Sequence, residues 1–111
     1  MVPGPLYPLS QINDLAKVCK VVFSENAEDD YQALGFSLAQ ACDCIAHICG
    51  SEYRASLRYD RNGVIFSWDD YVTTYRGPNG LTTLYVKLRI PSPSVVGHVY
   101  CTSFHPPKVA P

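Results

Sequence analysis

Long hydrophobic runs are missing from this 111-residue chain. No uninterrupted apolar stretch approaches the roughly 20 residues needed to cross a bilayer, so no membrane span is expected. An excess of one charge is missing too. Nine Lys and Arg stand against ten Asp and Glu, a formal net charge of −1. That balance argues against a nucleic-acid binder working through a broad basic face. The opening Met1-Val2-Pro3-Gly4-Pro5-Leu6-Tyr7-Pro8 has neither the basic start nor the apolar stretch of a secretory leader. The chain also lacks G-x-S-x-G, a Walker glycine loop, a dinucleotide fingerprint and H-E-x-x-H, which removes the common signatures of hydrolases, nucleotide binders and zinc peptidases.

What is present is a folded composition, with 47% hydrophobic and only 17% charged residues. The length suits one domain rather than two. There are five cysteines: Cys19, Cys42, Cys44, Cys49 and Cys101. An odd number without a leader points to free thiols in a reducing, cytoplasmic compartment. Cys42-x-Cys44-x4-Cys49 is not a zinc knuckle. On a helix the first two point about 200° apart and cannot converge on one ion. No metal or other cofactor is expected, and Cys19, Cys42 and Cys49 are expected to be buried in apolar stripes.

Apolar residues at helical steps, from Ile12 through Cys19 to Phe23, predict a first helix from Ser10 to about Ser24. Asn26 with Glu28, Asp29 and Asp30 predicts the start of a second, which runs through Cys42 to Cys49 and stops at Gly50. His47 then falls in a last helical turn, where the dipole favours it. From Tyr53 the period becomes two, and Asp60-Arg61-Asn62-Gly63 marks a hairpin. The return strand is expected at Val64 to Trp68, ended or bent by Asp69 and Asp70. Short strands at Tyr71–Tyr75, Leu81–Ile90 and Val95–Phe104 follow, the first two separated by Gly77-Pro78-Asn79-Gly80. The expected fold is α+β: two N-terminal helices packed on one face of an antiparallel β-meander of four to five strands. Residues 1–9 read as an irregular Pro-rich arm, 10–105 as a single domain and 106–111 as a Pro-rich tail.

Chemistry concentrates on the last strand. His98, Cys101 and His105 place two of the three histidines beside a thiol, a set from which a nucleophile and its base can be drawn. Strict alternation puts His98, Tyr100, Thr102 and Phe104 on one face and Cys101 on the other, so a bulge is required to bring thiol and imidazole together. A second grouping is cationic and aromatic: Arg54 and Arg58 on one strand, Tyr85, Lys87 and Arg89 on another, with Tyr100 on the last. On a shared face these would suit phosphate or RNA, although Glu52, Asp69 and Asp70 are placed to offset them.

Gly50-Ser51-Glu52-Tyr53 after a helix, the hairpin Arg58-Tyr59-Asp60-Arg61-Asn62-Gly63, and Ile90-Pro91-Ser92-Pro93-Ser94-Val95-Val96-Gly97 together resemble the JAMM/MPN-related C-terminal domain of bacterial Rhs-type polymorphic toxins. The likeness covers about half the chain. That family carries a His-x-His pair soon after the glycine, whereas Gly97 is followed here by His98-Val99-Tyr100, so no metal ligands carry over. The resemblance implies a toxin-type effector domain, secreted as part of something larger.

Two functions follow as expectations. One is a small intracellular effector with a hydrolytic site (nuclease, or peptidase/amidase type) at His98, Cys101 and His105, binding substrate through Arg54, Arg58, Tyr85, Lys87, Arg89 and Tyr100. The other is a non-enzymatic protein-binding module, an inhibitor or immunity-type protein docking through its sheet. A protein partner is expected in either case, with RNA as the lesser alternative.

Overall fold

A computed structural model describes residues 4–91 and 97–107. The chain folds as α1 (Leu9–Lys17), β1 (Val21–Phe23), α2 (Glu25–Ala33), α3 (Leu38–Ala46), a 3-10 turn (Gly50–Glu52), β2 (Tyr53–Arg61), β3 (Val64–Gly77), β4 (Gly80–Arg89) and β5 (Val99–His105). The five strands form one sheet in the order β1-β5-β4-β3-β2. Four of them make an antiparallel run, but β1 pairs with β5 in parallel, Val21 beside Val99 and Phe23 beside Cys101. The fold is therefore α+β with a mixed sheet. The pure meander behind a block of N-terminal helices is corrected, because β1 separates α1 from α2.

The first predicted helix ends early, at Lys17. Its hydrogen bonding closes with Cys19 at φ 57°, and the β-branched Val21-Val22 continue as strand instead. Apolar spacing alone did not separate these outcomes, since Val22 and Phe23 fit either a helical stripe or a short buried-edge strand. The second predicted helix is two. Ser24, not Asn26, caps α2, accepting the Ala27 amide at 3.1 Å. Gly35 at φ 81° breaks the run, and Ser37 with Gln40 restarts it in a reciprocal capping box. Gly50 opens the 3-10 turn rather than closing a helix, and His47 is the C-cap of α3.

The Asn62-Gly63 hairpin forms as expected, both residues at positive φ (54° and 79°). The Gly77–Gly80 turn joins β3 to β4. Asp69 and Asp70 do not end a strand. They lie in the middle of the 14-residue β3, whose first half pairs with β2 and second half with β4. Asp69 is fully buried, with both carboxylate oxygens occupied: the Leu6 and Tyr7 amides donate at 2.9 Å each, and the Ser56 hydroxyl at 2.6 Å. The irregular N-terminal arm is thus tied to the sheet. The start predicted for the last strand, at Val95, lies outside the described residues.

All three helices cover one face. Ile12 and Ala16, Ala27 and Tyr31, and Ala41, Cys42, Cys44 and Ile45 meet Tyr71, Leu84, Val86, Leu88, Val99, Cys101 and Phe104 from the sheet. Phe104 stands at the centre of an edge-to-face cluster with Phe23, Tyr31 and Phe36, ring centroids 5.8 to 6.1 Å apart. Cys42 is buried as expected, but Cys19 and Cys49 are exposed and Cys44 is buried in their place.

Candidate functional site

β5 contains the bulge that would be needed to unite its histidines with the thiol, but it acts the other way. Lys87 pairs with Ser103 and Leu88 with Cys101, so Thr102 is the extra residue. The phase of the strand shifts there, and Val99, Cys101 and Phe104 all face the helices. Cys101 is fully buried, donates its S–H to the Ser103 carbonyl at 3.2 Å, and has its pKa pushed up by burial. His105 turns to the opposite face, its ring 5.4 Å from Tyr85 and Nδ1 2.8 Å from the Pro106 carbonyl. His98 is exposed just before the strand begins. The three residues do not converge. His105 instead shares an open cleft of about 500 Å³ with Asn26, Asp29, Asp30, Thr102 and Ser103. His47 accounts for itself structurally, with Nδ1 2.8 Å from the Asp43 carbonyl and 3.3 Å from its carboxylate.

The cationic and aromatic residues do gather, on the face of the sheet that bears no described helix. Alternation along β4 sends Leu84, Val86 and Leu88 to the core and Tyr85, Lys87 and Arg89 to this face. Phe66, Trp68 and Asp70 join them from β3 and Tyr100 from β5. The Lys87 ammonium lies 5.6 Å from the Trp68 ring centroid and 5.8 Å from that of Tyr85. The Arg89 guanidinium lies 5.4 Å from Phe66 and 5.9 Å from Tyr100. Phe66 and Trp68 stack at 6.2 Å, 17° from parallel. The Tyr85 hydroxyl donates to Asp70 at 2.6 Å, and burial with that carboxylate raises its pKa. Asp70 thus orients the tyrosine through this bond.

Arg54 and Arg58 lie apart from this cluster. β3 stands between β2 and β4, and Arg54 occupies the irregularity between Tyr53 and Ala55, its Nη1 donating to the Ser51 and Tyr53 carbonyls at 3.4 and 3.3 Å. Arg58, opposite Ser67, has the phase of the helix-covered side, while Leu57 opposite Trp68 has that of the open side. Phe66 and Trp68 are the residues of this cluster that sequence reasoning missed, whereas Asp70 was named beside it. Continuous alternation from Val64 through Val72 would have found them, had Asp69-Asp70 not been read as a strand end.

Among the described residues, no three His, Cys, Asp or Glu side chains come together as a metal site, and no helix is long and apolar enough to cross a membrane. Compared with known proteins, the chain matches no family model and no curated sequence.

Proposed function

We propose that this domain is a non-enzymatic protein-binding module that docks through the helix-free face of its sheet. The observation that carries this reading is the cluster of Trp68, Phe66, Tyr85, Tyr100, Lys87 and Arg89, held in register by four cation–π contacts. Trp, Tyr and Arg are the side chains that dominate interface energetics, since they combine large rigid area with a polar handle. The face is also partly open. Tyr100 is 39% exposed and, at its margin, Leu57 is 44% and Val64 54% exposed. Burial of the Cys101 thiol supports the same reading, because it takes the cysteine nucleophile away from a thiol-dependent hydrolytic site on β5. The chemistry of the face selects a partner surface that is acidic and carries exposed apolar groups, with carboxylates meeting Lys87 and Arg89.

A displayed library of acidic, aromatic-containing peptides, selected against the whole chain, tests it. Selected peptides should lose about 30-fold or more in affinity, roughly 2 kcal/mol, on Trp68→Ala, Lys87→Ala or Arg89→Ala. Arg54→Ala and Arg58→Ala should bind almost unchanged, with thermal melts confirming that every variant folds. Peptides indifferent to the three face substitutions would refute the reading. A labelled single-stranded RNA that bound more tightly than any peptide, and was lost on the same substitutions, would replace it with RNA recognition.

A further inference from the structure

β5 loses one of its two neighbours partway along. β1 reaches only to Phe23, beside Cys101, and the chain then turns into α2. Ser24 closes the shared ladder, its amide donating to the Cys101 carbonyl at 2.9 Å and its hydroxyl to the Thr102 carbonyl at 3.3 Å. Beyond that point Ser103 to His105 pair with β4 on one side and with no described strand on the other. A strand edge of this kind is a template for another extended chain. The cleft that contains His105 follows this edge, with Thr102, Ser103 and His105 as one wall and Asn26, Asp29 and Asp30 of α2 as the other. Asn26, Asp29 and Asp30 stand three and four residues apart, so they share one helix face. The helix holds Glu25, Glu28, Asp29 and Asp30 and no Lys, Arg or His. Among the described residues neither Asp29 nor Asp30 is in an ion pair. On the opposite wall, the Thr102 hydroxyl oxygen is shut off from solvent and has no hydrogen-bond partner among the described residues.

We infer that this cleft takes an extended, basic segment of a partner polypeptide as an added strand beside Ser103, Phe104 and His105. Main-chain hydrogen bonds to the edge of β5 fix the segment, and every second side chain then points to the α2 side. Lys or Arg at those positions meets Asp29 and Asp30, so charge complementarity selects the segment. The remaining side chains point to the side of His105, whose ring lies 5.4 Å from that of Tyr85. The added strand is short. Pro106 and Pro107 have no N–H to offer, so the ladder ends at His105, and a segment of about four residues spans it. The other edge of the sheet does not suit the same partner, because β2 carries Arg54, Arg58 and Arg61, which repel a basic chain. This site stands apart from the helix-free face and holds or fails independently of it. Lys87 and Arg89 there call for carboxylates, whereas Asp29 and Asp30 call for cations.

The test uses the full chain and fluorescently labelled peptides of about six residues, with Lys at alternate positions and Val or Thr between. Fluorescence anisotropy should show binding, and hydrogen exchange at the amides of Ser103 to His105 should slow when peptide is added. Asp29→Asn combined with Asp30→Asn should weaken binding about fivefold or more. Asp14→Asn, which removes an exposed carboxylate on α1, should leave it unchanged. N-methylation of alternate main-chain nitrogens keeps the charge of the peptide and removes ladder donors, and it leaves the protein itself unaltered. In one of its two registers it should abolish binding. No binding by any of these peptides, equal binding by the parent and both methylated forms, or an equal loss on Asp14→Asn would overturn the inference. Spermine that bound as tightly and displaced the peptide would also overturn it, in favour of a site for small polycations.

Discussion

Tyr71 lies wholly inside the core with its ring 5.8 Å from that of Tyr53, yet its hydroxyl has no hydrogen-bond partner among the described residues. A buried hydroxyl left unsatisfied costs about 1–3 kcal/mol. Tyr71→Phe keeps the ring and removes the cost, so urea unfolding should show unchanged or increased stability, by up to about 1 kcal/mol. A clear loss would mean that the hydroxyl is bonded after all. Gly77 presents the opposite case. A β-carbon there would stand 2.6 Å from Phe36 Cε1 and 2.8 Å from Cζ, and that ring is itself wedged against Tyr75 and Phe104. Gly77→Ala should therefore lower stability by about 1–3 kcal/mol, the usual cost of overpacking. A melting temperature equal to that of the parent chain would show that Phe36 moves aside freely.

At the scale of elements, backbone conformation rather than space controls the β2–β3 hairpin. A β-carbon on Gly63 would meet nothing within 4 Å, but the residue sits at φ 79° beside Asn62 at 54°, and its amide donates to the Asp60 carboxylate at 3.0 Å. Gly63→Val should cost about 1–3 kcal/mol through strain alone. Thermal melts of the two proteins decide it, and an unchanged midpoint would contradict the turn. The open edge of the sheet, β2, carries Arg54, Arg58 and Arg61, which guard it against pairing with another chain. Elements with a local cause were legible in advance: this hairpin and the alternation of β4. The break at Gly35 was not, since an apolar stripe continues across it from Tyr31 to Leu38 and the sequence offers only one glycine as warning.

For the molecule as a whole, the core is built to hold protons. Burial keeps Cys44 and Tyr71 at about 12, against ordinary values of 9.0 and 10.0. Across that interval the unfolded chain gives up protons that the folded one retains, so unfolding releases them and rising pH favours it. Stability should be flat from neutral pH to about 8.5 and fall steadily between about 9 and about 12. Urea midpoints measured across this range should show the decline, and Cys44→Ala or Tyr71→Phe should each make it shallower. A midpoint that rises above about pH 10 would remove buried thiols and phenols as its cause.

Composition and local pattern determined the α+β class, the strand period after Tyr53, the hairpin at Asn62-Gly63 and the inward set Leu84, Val86 and Leu88, because each depends on neighbours in the chain. They also singled out Tyr85, Lys87, Arg89 and Tyr100, whose chemistry is visible in any order. Which residues joined them was decided only by tertiary structure. Trp68 and Phe66 enter the cluster because β3 runs on through Asp69 and Asp70, and a carboxylate is kept inside a strand only where the Leu6 and Tyr7 amides and Ser56 arrive to bond it. Cys101 and Phe104 share the core because one extra residue at Thr102 shifts the phase of β5 against its neighbour. β1 is a strand because Val99 offers its amide to Lys20 at 2.9 Å from a place 79 residues further along. Bulges, buried charges and parallel pairing draw their energy from partners distant in sequence, and no local period records them.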